Sequence, residues 1–465
     1  MQPEPRHDPA LPVHSQPGDV SRAVAWYGVA VLSVVQLFSF MDRQALSLLI
    51  GPIKAQFGMS DVQVSLVIGL GFAIAYAIAG LPIGRLVDQW FRPALLGLGL
   101  TVWSICTAAC GFAGSFTHLA LLRSGVGIGE ATLTPTVISF LGDYFPPSKR
   151  GISFGVFAVS VYVGSGLSLV AGGAILKAFE GVAFVTIPIV GEVKPWQLVF
   201  LLIGLPGLLA VPLVLTLFEP RRQRGNAAAA PAMRGLSMAE VRSHYRRHWP
   251  AFLTQHAAST MMAMLFYGVS AWVPEFLRRT YDMPISTAGF SFGLVTVAAG
   301  SLGVLSGGFF SDALLKHGYT DARLRATLFA ALCALPFAAA FPLAGSAGVS
   351  LVLIFGMVFF TSTISTAGST GVQELALPRM RGIAAAIYLF IFNGIGLSLG
   401  PTLFAVLTDD VFGNPALLWR SLATAAPSIA MLAAVFSLLG LRPYRACVAA
   451  NQRELLPVPA VTAPA

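Results

Sequence analysis

Gly84-Arg85-Leu86-Val87-Asp88 closes one long apolar run of this chain, and Gly308-Phe309-Phe310-Ser311-Asp312 closes another 224 residues later. Two further strings repeat in the same order at nearly the same spacing. Pro147-Ser-Lys-Arg150-Gly151 matches Pro378-Arg-Met-Arg381-Gly382 at an offset of 231, and Trp196-Gln197 matches Trp419-Arg420 at 223. Three ordered markers at almost one spacing divide the chain into two copies of one architecture.

Each copy reads as six apolar windows. They fall at 24–50, 62–83, 94–115, 118–142, 152–177 and 197–218, then at 250–276, 287–311, 325–345, 348–373, 382–407 and 417–440. Windows of about 20 residues cross a hydrocarbon core of roughly 30 Å as helices. Composition agrees: of 465 residues 56% are hydrophobic and 11% charged, where a soluble domain carries about 25% charged. A soluble enzyme, a disordered chain and a disulfide-stapled module are excluded. The expected fold is an all-α membrane protein with twelve transmembrane helices in two six-helix pseudo-symmetric bundles around a central cavity.

The domain layout follows. Residues 1–23 form a tail, 24–218 the first bundle, 219–249 a linker, 250–441 the second bundle and 442–465 a second tail. The linker holds seven arginines, and Ser237-Met-Ala-Glu240 fits a capping box opening a short amphipathic helix. With the linker inside, 21 lysines and arginines lie on its side and six on the other. The positive-inside bias then places both termini in the cytoplasm and the chain in the inner (plasma) membrane. The net charge of +9 is spread between spans, not along one face, so no nucleic-acid partner is expected. Residues 1–21 are polar and Pro-rich and precede a full-length span, so no cleavable signal peptide is expected.

Cys106 and Cys110 share a helix face without a second ligand pair and read as packing residues, so no metal is expected. Gly125-Val-Gly127-Ile-Gly129-Glu130 imitates a dinucleotide fingerprint but lies inside a span, with no strand before it. Gly125 and Gly129 instead make a small-residue face for close helix contact. No phosphate-binding loop is present, and no cofactor is expected.

Charge inside a span costs about 2.5–3.5 kcal/mol on insertion scales and marks function or a buried partner. Asp42 and Arg43 lie in span 1, Arg123 and Glu130 in span 4. Arg123 and Glu130 are two turns apart on one face, with Thr134 a turn beyond, whereas the adjacent Asp42 and Arg43 diverge by about 100°. The four charges cancel. Protonating Glu130 or Asp42 leaves a net positive site that favours an anionic head group, and losing the proton restores an internal partner for arginine. Glu130 and Asp42 are therefore the candidate proton-coupling residues, Arg43 and Arg123 the candidate anion contacts. The second half offers Thr370, Tyr388 and Asn393 as substrate contacts, and His256 and Tyr267 among its other polar groups. Such a cavity, charged on one wall and apolar with scattered hydroxyls on the other, suits an amphipathic anion. Asp88 with Arg150, and Asp312 with Arg381, are candidate pairs across a cytoplasmic gate, and Gly84 and Gly308 would let helices close up there.

The Gly-x-x-x-Asp strings and the paired six-helix halves resemble the major facilitator superfamily, although Gln89 and Phe91 stand where its motif usually has a basic residue and a glycine. Met41-Asp42-Arg43, Arg123-Ser-Gly-Val-Gly-Ile-Gly-Glu130-Ala131, Asp143-Tyr-Phe-Pro146 and Asp321-Ala-Arg323 resemble its Spinster branch. Anion:cation symporters of the same superfamily share the span 1 and span 4 patterns. The Spinster resemblance implies proton-driven transport of lysolipid or sphingosine-phosphate-like substrates, with Asp42, Arg43, Arg123 and Glu130 at the matching positions. The expectation is a monomeric secondary transporter, not an enzyme, embedded among membrane lipids and moving a lipid-like anion with protons. The alternative is a proton symporter of small carboxylates or sugar acids.

Overall fold

The computed structural model describes residues 20–188, 191–220 and 238–455. Linker residues Arg221, Arg222, Arg224, Arg234 and Ser237, and with Ser237 the expected capping box, lie outside the described residues. Among the described residues, twelve helical segments stand where the twelve spans are expected. Spans 1 to 6 are Arg22–Leu48, Asp61–Ser65 continuing through a π turn into Gly71–Gln89, Arg92–Cys110, Phe116–Glu130 with Leu133–Tyr144, Pro147–Ala178, and Pro195–Gly204 continuing to Ala210–Leu215. Spans 7 to 12 are Trp249–Tyr281, Ile285–Lys316, Ala322–Ala340, Ala347–Ser362 with Ile364–Leu375, Arg381–Val406, and Leu418–Leu455. Eleven are long and apolar enough to be recognised by composition alone. The twelfth is span 4, whose charges and mid-span break leave two helices of 15 and 12 residues.

That break is part of the repeat. Span 10 is interrupted at Thr363 in the same way, and both spans open on a serine N-cap. Ser115 Oγ accepts from the His118 amide at 3.1 Å and Ser346 Oγ from the Val349 amide at 3.4 Å. The two serines stand 231 residues apart, and each satisfies one of the amides a helix start leaves open. The same offset relates two buried charge pairs on the face that carries the linker. Arg92 pairs with Asp143 at 2.6 Å and with Glu219 at 3.1 Å. Arg323 pairs with Glu374 at 3.2 Å and with Asp312 at 2.9 Å.

Two features depart from the sequence reading. A small hairpin, Val185–Ile187 against Gly191–Val193, joins spans 5 and 6. Span 12 does not end near residue 440 but runs helically to Leu455. Its extension is held against the second half by Tyr444, whose hydroxyl donates to Glu374 at 2.7 Å, so the expected tail begins as packed helix.

The halves meet on the side away from the linker. Span 5 packs on span 8, where a Cβ added at Gly173 would sit 2.6 Å from the Ser286 carbonyl oxygen. Span 2 packs on span 11, where one added at Gly69 would sit 2.6 Å from the Leu397 carbonyl oxygen. Glycine is what lets these backbones touch. On the linker face, by contrast, a Cβ at Gly84, Gly151, Gly308 or Gly382 would meet nothing within 4 Å. The close approach expected at Gly84 and Gly308 is therefore absent here, because this conformation is closed on the far side and open toward the linker. Gly125 and Gly129 do pack as expected, against Cys106 and against the backbone of Gly99 and Trp103 in span 3.

Candidate functional site at the centre of the bundle

Span 1 brings Ser39, Asp42 and Arg43 against the break in span 4. Arg43 donates to Glu130 Oε2 from Nε at 2.7 Å and approaches it with Nη2 at 2.5 Å. Ser39, one turn earlier on the same face, donates its hydroxyl to that oxygen at 2.7 Å. Glu130 is fully buried and the Arg43 side chain 13% exposed. The guanidinium also lies over Phe72, Phe40 and Tyr76, 4.6, 4.9 and 5.5 Å from their ring centres. Aromatic faces hold a cation while leaving its N–H edge free to bond.

Asp42 turns the other way and is buried among spans 1, 3 and 4. Its backbone carbonyl accepts from Arg123 Nη1 at 3.4 Å. Asp42 Oδ1, Arg123 Nε and Glu130 Oε1 are buried without a hydrogen-bond partner among the described residues. Each such atom costs about 1–3 kcal/mol, and three of them cluster here inside the bundle. Both predicted carboxylates and both predicted arginines thus gather in one place, Arg43 lining the cavity, with Glu130 bonded to it from behind and Asp42 and Arg123 buried beside them.

Thr134 joins by a different route from the one expected. The turn at Ala131 and Thr132 interrupts the helical face that would have stacked it beyond Glu130. Its hydroxyl instead pairs with the Tyr76 hydroxyl at 3.0 Å, and Tyr76 lies against Arg43.

A cavity of about 30 Å³, room for a water or two, opens beside Arg43 between the halves. Gln44, Phe72 and Ser165 line it from the first half, Tyr267, Leu397 and Pro401 from the second. The second-half wall is apolar apart from the Tyr267 hydroxyl. Tyr388, Asn393 and Thr370 do not line it. Tyr388 is buried beside His256, ring centres 6.0 Å apart, and Asn393 donates back to its own helix at Leu389. Thr370 is half-buried in the linker-side half of span 10. Sequence reasoning left out Ser39 and Tyr76. Ser39 carried a signal, four residues before Arg43 on one helical face; Tyr76 carried none.

Two of the gate candidates, Asp312 and Arg150, have other partners in this conformation. Asp312 is held by Arg323, which starts the next span, and not by Arg381. Arg150 donates to the carbonyls of Phe145 and Gly142 at 3.0 and 2.7 Å. The far side carries a charge cluster that the sequence reading did not assemble. Arg279 of span 7 donates to both carboxylate oxygens of Asp61 in span 2, and Lys54 pairs with Asp61 as well. Glu275 binds Arg278 and Arg279 at 2.6 and 2.7 Å. The Val62 amide donates to Asp409 across the same seam.

The family model of the Major Facilitator Superfamily matches residues 32–401. The chain belongs to that superfamily. Superfamily members are membrane transporters, so this is a multi-pass transport protein and not an enzyme. Among its relatives, an "MFS-type efflux pump" of Mycolicibacterium smegmatis is 29% identical over 438 residues, 93% of this chain and 94% of the relative. A "Probable L-galactonate transporter" of Escherichia coli is 27% identical, covering 82% of each chain. "Protein spinster" of Drosophila melanogaster is 25% identical over 88% of this chain and 66% of its own length. A crystal structure of a bacterial homologue of the human lysosomal transporter Spinster superposes with a TM-score of 0.72 at 24% identity, over 94% of this chain and all of the other. The Spinster resemblance read from spans 1 and 4 is thereby met in both fold and relatives.

Proposed function

We propose that this superfamily member is a proton-coupled transporter of an amphipathic anion, with Arg43 as the head-group contact and Glu130 as the proton carrier. One observation supports this above all: both Arg43 donors and the Ser39 hydroxyl converge on the single oxygen Glu130 Oε2. While Glu130 is ionised, Arg43 is satisfied internally. Protonation removes that partner and leaves a guanidinium framed by aromatic rings, which an incoming anion neutralises. Loss of the proton returns Arg43 to Glu130 and releases the anion. Asp42 and Arg123 form a second, deeper carboxylate–arginine set through which the proton passes or is exchanged.

Apolar lining from Phe72, Leu397 and Pro401 favours a substrate with a hydrocarbon body, of the lysolipid or sphingosine-phosphate type. Thr134, Thr370, Tyr388 and Asn393 would meet it along the linker-side half of its path. The linker face is the cytoplasmic one, on the excess of basic residues there. When that face closes, Asp88 with Arg150 and Asp312 with Arg381 would draw together as the halves rock. The protein works as a monomer.

A second reading, symport of small sugar acids, is supported by the L-galactonate relative. Uptake into proteoliposomes under an imposed pH gradient separates the two. Lysophospholipid and sphingosine phosphate would be compared with galactonate and glucuronate, in wild type and Glu130→Gln. Gradient-driven movement of the lipids, lost in Glu130→Gln, is the expected result. Movement of the sugar acids alone would transfer the same charge set to the second reading. Gradient dependence that survives Glu130→Gln would overturn the coupling role.

A further inference from the structure

Away from the central cavity, four residues on two helices converge where the linker meets the second half. His244 lies on the linker helix Met238–Arg247, and His248 stands one turn on, just before span 7. Cys447 and Asn451 are likewise one turn apart, on the extension of span 12. Spacing of four puts each pair on one helical face. The ligand atoms of His244, His248 and Cys447 all lie within 4.8 Å of one another. A tetrahedral ion with Zn–N near 2.0–2.1 Å and Zn–S near 2.3 Å needs ligand atoms about 3.3–3.8 Å apart. Side-chain adjustments of about an ångström close that gap.

The carbonyl of Leu375, at the end of span 10, explains why these groups are held ready. It accepts from His244 Nε2 at 3.1 Å, from Asn451 Nδ2 at 3.0 Å and from Cys447 Sγ at 3.5 Å. A carbonyl oxygen has two lone pairs, so the thiol is the surplus, longest donor and can lose its proton without leaving Leu375 unsatisfied. With Nε2–H bound to the carbonyl, His244 keeps its lone pair on Nδ1, the carbonyl-anchored arrangement usual for a metal-bound histidine. Asn451 is 6% exposed, and its Oδ1 has no partner among the described residues. It is an oxygen beside the cluster that the protein itself does not use.

We propose that His244, His248 and Cys447 bind one thiophilic divalent ion of the zinc class, with Asn451 Oδ1 or a water as fourth ligand. Two imidazoles and a thiolate select a borderline-soft metal over calcium or magnesium. The ion would pin the linker helix to span 12 and the end of span 10, and so tie the connection between the halves to one of them. Binding displaces the Cys447 proton.

Cobalt(II) is the probe, titrated into the purified full-length protein in detergent and then displaced by zinc. The expected result is one equivalent of cobalt with a thiolate charge-transfer band in the near ultraviolet. Cys447→Ser abolishes the band, and His248→Ala weakens binding at least about tenfold. His248→Ala leaves the Leu375 hydrogen bonds in place, so it reports on binding even if Cys447→Ser folds poorly; gel filtration checks both variants. The other three cysteines remain in every sample. No charge-transfer band in wild type, an unchanged band in Cys447→Ser, or unchanged affinity in His248→Ala would each overturn the site.

Discussion

Arg279 in span 7 reaches across the seam between the halves and grips Asp61 in span 2 through both terminal nitrogens, at 2.6 and 2.9 Å. Both side chains are nearly inaccessible, at 7% and 0% exposure. This two-point contact latches the far side in the conformation that is open toward the linker. Removing one partner of a buried pair costs roughly 3–5 kcal/mol, and here the cost falls on one conformation alone. Asp61→Asn shifts the population toward far-side opening by at least about a hundredfold. Spin-label distances between spans 2 and 7 at that end would lengthen; unchanged distances would show that other contacts across the seam, such as the Val62 amide on Asp409, hold it without the pair.

The Arg43–Glu130 pair carries a stability signature distinct from transport. Arg43→Ala leaves Glu130 buried without its cation and lowers stability by about 3 kcal/mol. Adding Glu130→Gln to Arg43→Ala removes the stranded charge and recovers at least about half of that loss. Thermal unfolding in detergent would show it as strong non-additivity; additive shifts would mean that the pair is not an energetic unit.

Gly129 and Gly84 make a contrast in close packing. A Cβ at Gly129 would lie 2.7 Å from the Gly99 carbonyl oxygen and 2.8 Å from the Trp103 amide nitrogen, both backbone atoms that cannot step aside. Gly129→Ala is expected to destabilise by about 1–3 kcal/mol. Gly84→Ala meets open space and leaves the melting temperature within about a degree, while slowing transport if that face closes during the cycle. Equal stability of the two variants would contradict the packing described for spans 3 and 4.

The two linker-face arginines are related by the repeat but differ in burial. Arg92 is 1% exposed and bonds Asp143, Glu219 and Ser139. Arg323 is 14% exposed, and its partner Asp312 is 63% exposed. Arg92→Ala leaves Glu219, 15% exposed, and Asp143, 45% exposed, without their cation and costs about 1–3 kcal/mol, and Asp312→Asn less than about 1 kcal/mol, as for a solvent-exposed partner. Denaturation monitored by intrinsic fluorescence would rank them.

The twelve spans and their pairing into halves could be read directly, because a bilayer imposes length and apolarity on each segment independently of its neighbours. Span 4 was legible in spite of its charges, since Arg123 and Glu130 sit inside an otherwise apolar stretch. Its break carried a signal that the reading passed over: Pro135 has no amide hydrogen and crowds the carbonyl of Ala131 four residues earlier, where the turn at Ala131 and Thr132 lies. That is why Thr134 reached the site through Tyr76 and not along a helix face. That Asp312 has Arg323 as its partner in this conformation was not legible either. Arg323 and Arg381 are both basic residues on the same face, and only the packing of span 9 beside span 8 brings Arg323 within reach.

Local rules were enough for the membrane class, the repeat, and the identity of the four charged residues at the centre. Each of these rests on a cost that a residue meets wherever it is placed in a bilayer: an unpaired backbone group, a charge without water, a span too short to cross. Which atoms meet is a different kind of information. That Arg43 and not Asp42 faces the cavity depends on how whole helices dock, as does the grip of Arg279 on Asp61 from 218 residues away. So does the gathering of His244, Cys447 and Asn451 around the Leu375 carbonyl. Those contacts bring together parts of the chain whose separation along the sequence says nothing about their separation in space.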